Sequence, residues 1–257
     1  MILNQAFEFL HVFPKLRKRD SILFLTVVIA VAIVIFVFQD KEEYQTVPKS
    51  MPIHYNAEQF AGSESCMACH VDIYRSHLET AHYNTSFSAG ERTPKGNFGD
   101  SSNGVSLIDE EVRMIHDGNQ YFQSTTSKMT GKVMDKSSLD IVIGSGVKGQ
   151  SYLTFKGDSL FQLQASYFSL TDSWINSPGF PNYGFKRPIK DNCIKCHVTF
   201  AKNKDATGNS NLYDRASFMY GIDCERCHGP LKKHVDYRMG LLKHADTDVV
   251  IKIDTLA

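Results

Sequence analysis

The chain has 257 residues, and its 28 Lys and Arg residues balance its 28 Asp and Glu residues, so its formal net charge is zero. A protein that binds nucleic acid needs a surplus of basic residues to contact phosphates, so this balance argues against that class. With 42% hydrophobic and 22% charged residues the chain is too apolar to be intrinsically disordered, and its length suits one or two domains.

A long apolar segment lies near the N-terminus. Residues 22–38 contain no charged residue, and Thr26 is the one polar residue among them. A helix of this length, rising about 1.5 Å per residue, spans most of the hydrocarbon core of a bilayer. We therefore predict a cytoplasmic N-terminus over 1–20, a transmembrane signal anchor over 21–39 and a linker over 40–62.

The charges that flank this segment predict its orientation. Basic residues precede it, at Lys15, Arg17, Lys18 and Arg19, whereas mainly acidic residues follow it. By the positive-inside rule the C-terminal part is exported. The expected localisation is the cytoplasmic (inner) membrane of a bacterium, single-pass, with the C-terminal domain facing the periplasm. A cleaved signal peptide and a buried core helix are alternatives, but the segment lacks a small-residue cleavage pattern and polar positions at helical period.

All six cysteines belong to three copies of one pattern, C-x-x-C-H, which is typical of covalent haem c attachment. Two thiols one helical turn apart form thioethers with the two vinyl groups, and the next imidazole binds the iron. We therefore predict three covalently attached haem c groups, with His70, His197 and His228 as proximal iron ligands. The predicted attachment residues are Cys66, Cys69 and His70 (motif 1), Cys193, Cys196 and His197 (motif 2), and Cys224, Cys227 and His228 (motif 3).

Three other uses of paired cysteines fit the sequence less well. Disulfides suit an exported protein, but they do not explain a His after every second Cys. A zinc ribbon from motifs 2 and 3 needs a shorter separation than the one between Cys196 and Cys224, and it leaves motif 1 without a partner. A thioredoxin-like site needs a single reactive pair in a βαβ setting.

The distal iron ligands are harder to predict. In a helix that continues past motif 1, His77 lies two turns after His70 on nearly the same face, so it cannot reach the far side of its own haem. His77 or His82 can instead serve a neighbouring haem. His234 follows Gly229-Pro230, which should end the helix of motif 3 and let the chain turn towards another cofactor. Weaker candidates are His54, His116, His244, Met129 and Met134.

The long interval between motifs 1 and 2 has the pattern of β-hairpins. Asp117-Gly118-Asn119 separates two apolar-alternating runs, and Lys156-Gly157-Asp158 separates two more. The glycines within 141–151 match no nucleotide-binding loop and indicate a strand that ends in a glycine turn. The predicted fold class is α+β: a transmembrane helix, then a haem-packed trihaem cytochrome domain over 63–257, with short helices around the motifs and a β-hairpin-rich insert over about 100–172.

The chain resembles the multihaem c-type cytochromes of the cytochrome c-554 (c-552/4) family, which are related in haem packing to hydroxylamine oxidoreductase and pentahaem nitrite reductase. The resemblance covers roughly Ser63 to Val235. It rests on CMACHVDIYRSHLETAH, on IGSGVKGQSYL with DSLFQLQASYF, on WINSPGF and FKRPI before CIKCH, and on GIDCERCHGP with His234 beyond it.

The resemblance implies a choice among the distal candidates. Relatives commonly carry a distal His about a dozen residues after the first motif, which matches His82 and places it above His77. His234 is similar to a downstream His that caps another haem. Relatives usually carry four or more haems, so the chain is expected to be either a three-haem version or a fragment.

The expected function is electron transfer outside the cytoplasmic membrane by a membrane-anchored trihaem cytochrome. Its expected partners are redox proteins, either a quinol-linked donor or a periplasmic cytochrome, and membrane lipid around the anchor, but no nucleic acid. The alternative is a haem enzyme that reduces or oxidises a small nitrogen or sulfur oxide at a five-coordinate haem. The carrier is favoured because no acid-base group of an active site is identifiable. A third hypothesis is a haem-bearing subunit that docks a partner complex. Basic side chains that can steer an anion are Arg187, Lys190, Arg226 and Lys232.

Overall fold

The computed structural model describes residues 50–90, 92–99, 103–180 and 186–242. They fall within one compact unit that begins at Ser50. The predicted cytoplasmic N-terminus, the predicted anchor over 21–39 and His244 lie outside the described residues.

Strands form most of the regular structure. In chain order they are β1 (Ser86–Ser88), β2 (Gly104–Ser106), β3 (Glu110–Asp117), β4 (Gln120–Ser127), β5 (Val133–Ser138), β6 (Ile141–Ile143), β7 (Gly149–Lys156), β8 (Ser159–Phe168), β9 (Ser173–Asn176), β10 (Arg187–Pro188), β11 (Val198–Phe200) and β12 (Met219–Tyr220). The helices are short. They are α1 (Val71–Leu78), α2 (Asp191–Ile194), α3 (Cys224–His228) and α4 (Lys232–Arg238), with 3-10 turns at Ser63–Cys66, Tyr83–Thr85 and Arg215–Ser217.

The strands form two larger antiparallel sheets and one small one. The first runs β1-β6-β7-β8, and both β9 and β10 pair with β8. The second is a four-stranded meander, β2-β3-β4-β5, and β11 pairs with β12. The two predicted hairpins are present as β3–β4 and β7–β8. Gly118 and Gly157 occupy their turns at φ of 61° and 59°, a region that glycine adopts without steric cost.

The two faces of the first sheet bury different residues. Val142 and Tyr152 face the four-stranded sheet and join Val112 and Met114 in one apolar core. Because side chains alternate along a strand, the neighbouring residues on β6 and β7 face the other way and join a second core that includes Ile194 of motif 2. The first sheet thus packs against the four-stranded sheet on one face and against the region of motif 2 on the other.

The prediction of an α+β fold is wrong, because the described chain is mostly β-sheet with a few short helices. The helices at motifs 2 and 3 have four and five residues. After motif 2 the chain enters β11, and after motif 3 Gly229 at φ 76° ends α3. Strands also extend beyond the predicted insert: β1 is too short to show a pattern and exists by pairing with β6.

The predicted localisation is also corrected. Within the described ranges no helix is both long enough and apolar enough to cross a membrane. The segment that suggested the anchor lies outside those ranges. The prediction of a single-pass protein of the inner membrane with a periplasmic domain is therefore not retained.

Candidate functional site

Motif 2 lies beside a cleft with a volume of about 610 Å³. Cys193, Cys196 and His197 line one side, and strands β6, β7, β8 and β10 line the other. This volume is within the usual range for a small-molecule or cofactor site. Polar residues that line the cleft include Lys148, Gln150, Ser151, Gln162, Ser166 and Arg187.

The imidazole of His197 is held by a hydrogen bond with Thr85, the residue before β1. Its Nδ1 lies 3.0 Å from Oγ1 of Thr85. Burial lowers the pKa of His197, so the imidazole is neutral near pH 7. A neutral imidazole with Nδ1 engaged leaves Nε2 as the nitrogen that can bind a metal.

Motifs 1 and 3 share a second cleft of about 230 Å³. Cys66, His70, Cys224 and His228 all line it. The thiols of Cys66 and Cys224 are hydrogen-bonded, which lowers the pKa of Cys66 and raises that of Cys224. The first attachment cysteines of two motifs that lie far apart in sequence are therefore neighbours in one cleft.

Glu225, inside motif 3, ties the two motifs together. Its carboxylate accepts hydrogen bonds from the backbone N–H groups of Ala61, Gly62 and Leu231 at 2.8, 2.8 and 2.7 Å. Burial raises the pKa of this carboxyl group. The segment before motif 1 is thereby held against motif 3.

The residues present fit covalent haem. All six cysteines lie in the described part of the chain as free thiols, and the second thiol of each motif is exposed. His228 has a buried Nδ1 without a hydrogen-bond partner among the described residues, and His197 is neutral. Free thiols and imidazoles that line clefts are the donor set that haem c requires.

The structure separates the distal candidates. His234, on α4, lines the cleft shared by motifs 1 and 3. The Nε2 of His77 lies 3.1 Å from the carbonyl of Ile222 and 3.5 Å from a carboxylate oxygen of Asp223, which caps α3. His82 is exposed and lies outside the residues that line either cleft.

The weaker candidates lie in other surroundings. His54 packs against Phe60 and Phe200, with ring centroids 5.8 and 5.5 Å apart. His116 stacks on a tyrosine of the four-stranded sheet. Met129 and Met134 are 89% and 61% exposed. None of these four residues is among those that line the two clefts at the motifs.

The zinc alternative has no support in the geometry. Among the described residues, the group of His, Cys and carboxylate side chains close enough to hold a metal ion is His77, Asp223 and Cys224. The cysteine pairs of motifs 2 and 3 do not converge on one point, as a zinc ribbon requires. Once its sulfur forms a thioether, Cys224 can no longer supply a thiolate to such an ion.

Two residues of the site were missed in the sequence. Glu225 carried a signal, because an acidic residue inside an attachment motif needs a partner or solvent. Thr85 carried none, since its contact with His197 joins positions 112 residues apart.

The family described as "Cytochrome c554 and c-prime" matches residues 183–229, which include motifs 2 and 3. A solved structure, that of the outer cell wall cytochrome OcwA, is similar with 22% identity and a TM-score of 0.47 over 70% of this chain. The chain spans about a third, 34%, of that protein's length. No curated protein matches. Residues 183–229, which carry motifs 2 and 3, are thus similar to the cytochrome c554 family, and the C-x-x-C-H motifs are those of a c-type cytochrome.

Proposed function

We propose that the chain binds three haem c groups and transfers single electrons between redox partner proteins. The observation that carries this proposal is that Cys66, His70, Cys224 and His228 line one cleft, so that motifs 1 and 3 are neighbours. Haem c supplies a one-electron Fe(III)/Fe(II) couple when bound. Two haems attached in one cleft would be close enough to favour electron exchange between motifs 1 and 3.

The protein's own residues hold the site in place. Glu225 keeps motifs 1 and 3 adjacent through three backbone hydrogen bonds. Ser86 joins motif 2 to the segment before motif 3, because its hydroxyl donates to the carbonyl of His197 and accepts from the N–H of Gly221. Short, preorganised connections of this kind keep cofactor spacing constant when the oxidation state changes.

Haem number is the first test. A pyridine haemochrome assay together with the intact mass should give three haems per chain. Replacing both cysteines of one motif by serine, for example Cys66→Ser with Cys69→Ser, should remove one haem and leave the other two. Ser76→Ala, at an exposed site on α1, is the control and should keep all three haems. A wild-type chain with fewer than three haems contradicts the proposal.

Electron transfer is the second test. The reduced protein should be reoxidised by an oxidised small c-type cytochrome in a rapid-mixing experiment. The rate should fall when the haem of motif 1 or motif 3 is removed, because these motifs share one cleft. A rate independent of all three motifs excludes the carrier function.

One observation favours a second candidate function, a small-ligand reaction at motif 2. Apart from His197, the described residues that line its cleft include no His or Met that can act as a distal ligand. Arg187 lies in the same cleft, and its guanidinium donates to Gln162 at 3.1 Å and to the carbonyl of Pro178 at 3.2 Å. A five-coordinate haem beside a fixed guanidinium suits a small anion.

This candidate function is tested by EPR of the oxidised protein with and without nitrite. A high-spin ferric signal that nitrite converts to low spin supports it. Arg187→Ala should weaken nitrite binding about tenfold, since a charge-assisted hydrogen bond is lost. Lys190→Ala is the control, because Lys190 does not line the cleft. A fully low-spin wild-type spectrum excludes an open distal site.

A further inference from the structure

Thr85 and Ser86 both contact His197 of motif 2 through their side chains. Oγ1 of Thr85 lies 3.0 Å from Nδ1 of His197, and the hydroxyl of Ser86 donates to the carbonyl of the same residue. Two consecutive side chains therefore hold both the imidazole and the backbone of one predicted iron ligand. No sequence pattern assigns either residue to the site.

The position of Thr85 is itself fixed on both sides. The N–H of Gly144 donates to the carbonyl of Thr85 at 2.6 Å, and the N–H of Thr85 donates to the carbonyl of His82 at 3.1 Å. Ser86 pairs with Ile143 in the first sheet and is 1% exposed. The hydroxyl of Thr85 is thus presented to His197 by a backbone that has little freedom to move.

The direction of the hydrogen bond follows from iron binding. If Thr85 donated to Nδ1, the ring proton would have to lie on Nε2, and Nε2 could not bind iron. With iron on Nε2, the ring proton lies on Nδ1 and is donated to Oγ1 of Thr85. Donation from the ring makes the imidazole a stronger electron donor to the metal. A stronger donor stabilises ferric iron relative to ferrous iron.

Motif 3 lacks this arrangement. The Nδ1 of His228 is buried and has no hydrogen-bond partner among the described residues. His197 and His228 therefore differ at Nδ1: Thr85 bonds to that nitrogen in His197, and no described group does so in His228. This difference gives one protein two kinds of proximal ligand.

We propose that Thr85 is a positioning residue for the haem at motif 2: its hydroxyl accepts the Nδ1 proton of His197, orients the imidazole and lowers the reduction potential of that haem. The inference rests on the proposed haem at Cys193 and Cys196. It predicts that the effect comes from the hydroxyl oxygen and not from the shape of the side chain.

The test compares four proteins, each as the haem-loaded full chain. Thr85→Val keeps the shape and removes the oxygen, Thr85→Ser keeps the oxygen, and Thr126→Val, a half-buried position on the four-stranded sheet, is the matched control. In a spectroscopic redox titration, Thr85→Val should raise one midpoint potential. We expect the ferrous-to-ferric ratio at a fixed potential to rise about tenfold, the lower end of the range for groups that support a metal ligand. This change equals about 59 mV for a one-electron couple. Thr85→Ser and Thr126→Val should match the wild type.

A second measurement does not depend on how well the valine variant loads haem. Proton NMR of the ferric wild-type protein should show a hyperfine-shifted Nδ1–H resonance that exchanges slowly with solvent. It should be retained in Thr85→Ser. The absence of any such resonance in the wild type overturns the inference, as does an unchanged set of potentials in Thr85→Val or a serine variant that shifts as far as the valine variant.

Failure of the inference is distinguishable from failure of the proposed function. Mass spectrometry of the peptide that contains Cys193 and Cys196 shows whether haem is attached there. A peptide without haem overturns the proposed cofactor and the role of Thr85 together. A peptide with haem and potentials that do not respond to Thr85→Val overturns only the role of Thr85.

Discussion

The carboxylate of Glu225 accepts a hydrogen bond of 2.8 Å from the backbone N–H of Gly62, although the two residues are 163 positions apart. The same carboxylate also holds the N–H groups of Ala61 and Leu231. Glu225 is 3% exposed and Gly62 is buried, whereas Ala61 and Leu231 are half-buried. One side chain inside motif 3 therefore joins the segment before motif 1 to the turn before α4.

Replacing Glu225 by alanine should destabilise the protein. The change leaves the buried N–H of Gly62 and two half-buried N–H groups without their acceptor, and one unsatisfied buried donor costs about 1–3 kcal/mol. The measurement is urea-induced unfolding of the haem-loaded protein. Glu58→Ala, at an exposed glutamate that bonds a side chain two residues away, is the control and should lie within about 0.5 kcal/mol of the wild type. Equal losses in the two variants contradict the role of Glu225.

Glu225→Gln should remove a pH dependence. Burial raises the pKa of Glu225 in the folded protein above the ordinary value of 4.5. Its folded state therefore binds the proton more tightly than its unfolded state, and this contribution is complete below pH 4.5. It is lost as the pH rises through the folded pKa. The free energy of unfolding of the wild type, relative to Glu225→Gln, should thus fall from pH 4.5 upward. A difference that is constant over this window contradicts the prediction.

His234→Ala should convert one haem to high spin. His234 lines the cleft that contains His70 and His228, so its imidazole is placed among the predicted haem ligands of motifs 1 and 3. We expect EPR of the oxidised protein to show the loss of one low-spin signal. His116→Ala is the control, because that ring stacks on Tyr121 in the four-stranded sheet. An unchanged spectrum removes His234 from the ligands.

His77 and His82 should respond differently to replacement. The ring of His77 bonds to the carbonyl of Ile222, so His77→Ala should lower stability and leave the low-spin signals unchanged. The resemblance to the family predicts His82 as a distal ligand, so His82→Ala should convert one haem to high spin. Spectra and urea unfolding of both variants separate the two roles. A high-spin signal in His77→Ala reverses the assignment.

The local elements of the fold were largely predictable. The hairpins β3–β4 and β7–β8 follow from alternating residues on either side of a glycine turn. The end of α3 follows from Gly229-Pro230. The dominance of sheet over helix was not predictable, because strands as short as β1 and β10 have no periodicity of their own. They form where a longer strand offers free hydrogen-bonding groups.

The sequence by itself determined the chemistry: three C-x-x-C-H motifs specify where haem can be attached and which imidazoles can bind iron, because thioether formation depends on local spacing. Only the tertiary structure decided which motifs are neighbours and what surrounds each ligand. Motif 3 shares a cleft with motif 1, which is distant in sequence, and its helix also packs on β11, which follows motif 2. Thr85 reaches His197 and Glu225 reaches Gly62 through contacts between distant segments. Such contacts arise from packing around the sheet, and no local pattern encodes them.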